Sequence, residues 1–232
     1  MRIDKYLANL GLISRKDCKK VIKSENIFLN GQIVLKEDQK IKFWDKIKFF
    51  DEEIEYKEDI FLILNKPKDF VCSRVEEAWA LSIYENIFDC PYSELLEIVW
   101  RLDKDTTGLV LFTNNWKIIH KLISPKKNIF KKYIATLESE INQKEIDKLE
   151  KWVIIDENYR TKKAKVKLLE SKKIEISISE GKFHQIKKML EAVNNKVLEL
   201  ERIEIWELKL WNLKVWEWRY LNDEETKYLQ NL

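Results

Sequence analysis

Apolar positions set the first elements of the chain. Ile3, Tyr6, Leu7 and Leu10 recur at helical spacing, and Gly11 follows where a helix would end. Ser14 is placed to cap a second helix, with Asp17 three residues on and Val21 and Ile22 on its inner face. IFLNGQIVL (27–35) holds two β-rich runs around Asn30-Gly31, a strong hairpin signal. Short strands are expected at 46–50 and near Ile54, whereas the charged stretch DEEIEYKED (51–59) reads as a linker.

From Ile60 the pattern changes. FLILNKP (61–67) is a buried-type strand stopped by Pro67, and LVLFT (109–113) is a second. Strands are also expected at 133–137, 163–169, 173–179 and 197–200, with two short ones between Ile203 and Tyr220. Helices are expected at 81–88, 116–123, 143–152 and 185–193. The fold class is α+β, a small helical and hairpin module followed by a mixed, largely antiparallel sheet domain.

Composition narrows the function. No apolar run approaches the roughly 18 residues of a membrane span, and MRIDKYLANLGLISRK does not read as a signal peptide, so a soluble cytoplasmic protein is expected. Cys18, Cys72 and Cys90 are odd in number and widely spaced, which suits free thiols. His120 and His184 stand far apart, so neither a metal site nor a cofactor is expected. Oligomeric state is unmarked, and a monomer is the default. Net charge is only +3, yet residues 1–24 carry seven basic side chains against Asp4 and Asp17. Two readings fit that cluster: a phosphate-binding face or a solvated helix surface.

The most informative segment is RLDKDTTGLVLFTNN (101–115), in which Arg101 and Asp103 precede an apolar strand. A carboxylate on a loop anchored by a buried strand is held rigidly and stays accessible, although a plain polar turn fits as well. This segment resembles the signature of the RsuA/RluA-type pseudouridine synthases. LNKPKDFVCS (64–73), SPKKNIFKKYIATL (124–137) and EGKFHQIKKMLEAVNNKVLELERIEI (180–205) are similar to three further segments of that family, in order. RIDKYLANLGLISRKDCKKVI (2–22) and the later LNG resemble an S4 RNA-binding domain. The arrangement is most similar to the RsuA branch, which modifies small-subunit ribosomal RNA.

The resemblance implies an S4 module over 1–57 and a pseudouridine synthase domain over 58–232. It implies isomerisation of a uridine in ribosomal RNA, most closely 16S, through cleavage of C1′–N1 and reattachment at C5. Asp103 matches the catalytic carboxylate, Tyr133 the tyrosine that stacks on the detached base, and Lys187 a basic residue that pairs with and orients the aspartate. Leu200 matches an apolar residue of the base pocket, and Arg101 is placed to fill the space left by a flipped uridine. Arg2, Lys5, Arg15, Lys16 and Lys19 would bind RNA phosphate. His184 and Gln185 read as structural. A 23S target and a non-catalytic role in RNA binding or ribosome assembly are the competing readings.

One feature departs from the family. Glycine numbers only 4 and tryptophan 9. Trp100, Trp116, Trp206 and Trp216 stand where the family has glycine, and Trp44, Trp79, Trp152 and Trp211 sit at turn-like positions. Asp69, Asn194 and Glu25 replace other family glycines. The pattern suggests UGA codons that the source organism reads as glycine; alternatively the indoles are stacking surfaces for RNA.

Overall fold

The computed structural model describes residues 1–42, 45–75 and 79–231, so Trp44 lies outside the described residues. Helix α1 (Ile3–Asn9) buries Ile3, Tyr6 and Leu7. Gly11, at φ +72°, lies just beyond its end. Helix α2 (Arg15–Lys23) begins at Ser14, whose hydroxyl oxygen accepts from the Asp17 N–H at 3.1 Å. The hairpin is β1 (Ile27–Leu29) and β2 (Gln32–Ile33). Asn30 and Gly31 both have positive φ (52° and 79°), as a type I′ turn requires. With β3 (Lys46–Phe49) and β4 (Glu52–Glu55) they form a sheet in the order β2-β1-β3-β4.

Strand β4 corrects the linker reading. It pairs antiparallel with β3, Ile54 opposite Ile47, and Tyr56 beyond it is buried with its ring edge-on to Tyr6 at 4.8 Å. The charges that suggested a linker belong to an edge strand, where they discourage pairing with other chains.

The chain divides into two units, Met1–Ile60 with Phe88–Glu97, and Phe61–Ile87 with Ile98–Leu232. The second is built from β5 (Phe61–Lys66), β6 (Glu97–Val99), β7 (Thr107–Thr113), β8 (Lys131–Leu137), β9 (Ile154–Ile155), β10 (Tyr159–Arg160), β11 (Lys165–Glu170), β12 (Lys173–Ile178), β13 (Val197–Ile205), β14 (Leu208–Lys209) and β15 (Trp218–Tyr220). Its helices are α3 (Trp116–Ile123), α4 (Gln143–Lys151), α5 (Gln185–Glu191) and α6 (Asp223–Gln230). The main sheet runs β11-β12-β8-β13-β7-β5-β15, with β14 on β13 and β6 on β7. All six residues of β5 are buried, as a strand covered on both faces demands.

Among the described residues β13 and β7 form the one parallel strand pair, and its register sets Arg202 beside Gly108. A Cβ at Gly108 would lie 2.2 Å from the Arg202 carbonyl oxygen, so only glycine permits this approach. Residues 81–88, expected to be α-helical, contain a 3₁₀ turn at Ile83–Ile87. The strand expected at 197–200 continues to Ile205. Strands β9 and β10 and helix α6 were not anticipated. Helix α6 starts with a capping box of Asn222 and Glu225, and Glu225 also grips Arg219 through two bonds of 2.7 Å.

Candidate active site

Asp103 lies in the loop between β6 and β7, and that loop is fastened from several sides. Arg202, 1% exposed, donates from Nη2 to the carbonyl of residue 100 and from Nε to that of Leu109, both at 2.7 Å. The Leu102 N–H donates to Cys72 Sγ at 3.3 Å. Lys66, buried at the end of β5, donates from Nζ to the carbonyls of Pro67, Lys104 and Thr106 at 3.0, 3.0 and 2.8 Å. Burial pushes its ammonium down from 10.5 to about 8. The Thr106 N–H closes the turn on the Asp103 carbonyl at 3.1 Å.

The Asp103 side chain lines a small cleft with Arg101, Tyr133, Ile178, His184 and Leu200. The cleft encloses about 90 Å³, the volume of about three waters, which suits a single planar ring. A wider cleft of about 510 Å³ adjoins it and shares Arg101, Leu102, Asp103, Lys182 and His184. Arg101 is exposed at this junction. Tyr133, in β8, is 7% exposed, and its hydroxyl accepts from Arg202 Nη1 at 3.5 Å. Leu200, in β13, is nearly buried.

Lys187 projects from α5 with its Nζ 3.5 Å from Asp103 Oδ2 and 2.6 Å from Asp105 Oδ1. The ammonium is therefore shared, and its shorter bond goes to Asp105 and not to Asp103. Burial alone would raise the Asp105 carboxyl, but the hydrogen bond and charge of Lys187 outweigh it and hold that group below the usual carboxylate range. His184 caps α5 in a left-handed conformation, its ring stacked on Phe183 and its Nε2 3.8 Å from Asp103 Oδ2. A residue expected to be structural thus stands beside the carboxylate. Gln185 turns inward, donating to Glu180 at 2.6 Å and accepting from the Lys182 N–H at 2.9 Å.

Lys66 and Arg202 were missed by sequence reasoning. A signal existed for Arg202, because period-two alternation sets it on the same face of β13 as Leu200. Lys66 ends a strand that opens on four apolar residues, FLIL, which marks it as a buried cation needing acceptors.

In the N-terminal unit, the five expected RNA contacts divide. Arg2 donates from Nε and Nη2 to Asp4 at 3.0 and 2.9 Å, and Arg15 Nε reaches the same carboxylate at 3.3 Å. Lys19 pairs with Glu37 at 3.0 Å. Lys5 and Lys16 are exposed, with no ion pair among the described residues.

A family model described as RNA pseudouridylate synthase matches residues 60–192, and one described as S4 domain matches residues 1–47. The ribosomal small subunit pseudouridine synthase A of Haemophilus influenzae is 36% identical over 208 residues, covering 88% of each chain. An uncharacterized RNA pseudouridine synthase of Bacillus subtilis, YtzG, is 35% identical over 212 residues, 88% of this chain and 87% of that one. A solved structure described as pseudouridylate synthase superposes with a TM-score of 0.70 at 35% identity, covering 99% of both chains.

Proposed function

The chain belongs to the RNA pseudouridylate synthase family, and from that premise we propose that it isomerises one uridine of 16S ribosomal RNA, with Asp103 as the catalytic carboxylate. The observation that carries this reading is a convergence. Asp103, Tyr133 and Leu200, from a loop, β8 and β13, line one cleft, and the Lys187 ammonium of α5 lies 3.5 Å from Asp103. Relatives named for the small ribosomal subunit support the choice of RNA.

The C1′–N1 bond breaks with its electron pair passing to the uracil ring. Asp103 stabilises the positive charge at C1′ or bonds to it. The base turns, C5 joins C1′, and the C5 proton is lost while N1 gains one, so atoms and electrons balance without a cofactor. Tyr133 stacks on the free base and Leu200 closes the pocket. Lys187, bridging Asp103 and Asp105, orients the carboxylate. The uridine flips out of its stack at a cost of a few kcal/mol, and Arg101 fills the space it leaves.

Residues 1–57 act as the RNA-docking S4 module and 58–232 as the catalytic domain. Arg2, Lys5, Arg15, Lys16 and Lys19 contact phosphate, Arg2 and Arg15 while anchored on Asp4. The work is done by a monomer in the cytoplasm, where Cys18, Cys72 and Cys90 stay reduced.

The test maps pseudouridine in small-subunit RNA treated with the chain or with Asp103→Asn. One new pseudouridine that is absent with the variant is expected. Modification confined to large-subunit RNA would overturn the target. Tight binding without modification of either RNA would overturn the activity and leave a binding protein.

A further inference from the structure

Backbone torsion separates the tryptophans of this chain from its other aromatic residues. Trp79, Trp100, Trp206, Trp211 and Trp216 have φ of 65, 55, 54, 49 and 79°. They are five of the eight described tryptophans. Of the seventeen described phenylalanines and tyrosines, only Phe50 has positive φ. Three of the four glycines do: Gly11, Gly31 and Gly108.

In this region the Cβ of an L-residue crowds the following carbonyl, so few residues other than glycine enter it, and those are mostly Asn and Asp. Of the eight other non-glycine residues at positive φ, five are Asn or Asp (Asn30, Asp69, Asn128, Asp156 and Asn194), and Glu25, Phe50 and His184 are the exceptions. By backbone, these five tryptophans follow glycine and not the aromatics.

Exposure agrees. The Trp79 side chain is wholly exposed, and Trp211 and Trp216 are 70% and 53% exposed. An indole is favoured in a fold for the area it buries, and at these turn tips it buries little. Trp218 is the contrast. It lies in β15 opposite Leu64, is partly buried, and meets Tyr220 edge-to-face at 5.3 Å.

We propose that residues 79, 100, 206, 211 and 216 are glycine in the protein its own cell makes, encoded by UGA codons that this cell reads as glycine. UGA fits because it differs by one base from UGG, the tryptophan codon, and variant genetic codes read it as tryptophan. Trp116, at the first position of α3, and Trp152, with extended φ, make no such backbone demand, so the proposal stands on the five.

Position 100 bears on the active site, because it immediately precedes Arg101. The Trp100 ring lies over the Lys131 ammonium, 4.8 Å from Nζ to centroid, and lines a cleft beside it. Glycine there opens that cleft toward Lys131 and leaves intact the backbone carbonyl that Arg202 holds.

Two measurements test this. The first reads the gene and weighs peptides of the protein purified from its own cells. UGA at the five positions, UGG at Trp218 and glycine masses in the peptides are expected. UGG codons or tryptophan masses at the five would overturn the proposal. The second compares unfolding midpoints of recombinant chains. W79G/W211G/W216G should raise the midpoint, by roughly 2–4 °C per site, whereas W218G should lower it. A lowered midpoint for the triple variant would overturn the backbone argument on which the proposal stands.

Discussion

In the N-terminal unit the cations lie at the surface and meet carboxylates: Arg2 and Arg15 on Asp4, Lys19 on Glu37, Lys20 on Asp17. In the catalytic unit Lys66, Lys131 and Arg202 are at most 2% exposed, and among the described residues none has a carboxylate within ion-pair range. Their hydrogen bonds go to carbonyls and, for Arg202, also to the Tyr133 hydroxyl. Exposed pairs trade one set of contacts for water and contribute little. A buried cation cannot return to water, so it dictates where the surrounding carbonyls sit. The first unit keeps its charge available at the surface, and the second spends its charge on holding backbone carbonyls, those of the Asp103 loop among them.

The widest gap between the two uses should appear at Arg202. Arg202→Met leaves the carbonyls of residue 100 and Leu109 buried without these donors, and a loss of about 3–5 kcal/mol of stability is expected. Denaturant midpoints read it. Arg202→Lys keeps the charge and permits a double-mutant cycle with Tyr133→Phe in kcat. Non-additive losses are expected if Arg202 also positions the Tyr133 hydroxyl. Strictly additive losses would reduce Arg202 to a strap on the loop.

Lys66 and Lys131 come next, and pH reveals them. Burial lowers both ammoniums from 10.5 to about 8. The unfolded chain keeps these protons up to about 10.5, so between pH 8 and 10.5 it binds more protons than the folded chain. The stability these groups contribute is therefore present above 10.5 and lost as pH falls through 8, at most about 3 kcal/mol each. Lys66→Met and Lys131→Met should each flatten that rise in urea titrations. Lys66→Met should also release the loop at Lys104 and Thr106, lowering kcat by about 100-fold.

In the N-terminal unit the corresponding test is Asp4. Burial would raise its carboxyl, but bonds from Arg2, the Lys5 N–H and Arg15 outweigh that and hold it low. Its contribution is present above the usual carboxylate pKa and lost as pH falls through the lowered value. Asp4→Asn should cost about 1–2 kcal/mol at neutral pH and soften the acid limb of the stability profile.

The same contrast governs what was legible from sequence. Strands β5 and β7 and helices α1 to α5 follow from apolar periodicity, because burial itself writes that pattern. Residues 51–59 misled because an edge strand and a linker share a charged composition. Helix α6 escaped because DEETKYLQ is mostly polar and its order comes from a cap and from Arg219. Asp103, Tyr133, Lys187 and Leu200 became candidates through family motifs alone, since they belong to segments far apart in the chain. Lys66 and Arg202 stayed hidden because their acceptors lie as far as 40 and 102 residues away. Backbone carbonyls carry no residue identity to signal them.

The smallest effect sharpens the comparison most. Lys16 is exposed and has no ion pair among the described residues, so Lys16→Gln should leave stability within about 0.5 kcal/mol. If it touches phosphate, RNA affinity should fall uniformly, and the slope of log affinity against log salt should shrink by about one. Arg15→Gln should differ, because Arg15 also holds Asp4, so stability and binding should fall together. An unchanged salt slope for Lys16→Gln would mean that this helix face is merely solvated. The anchored guanidiniums of Arg2 and Arg15 would then be the phosphate contacts, and geometry, not free charge, would govern RNA docking in both units.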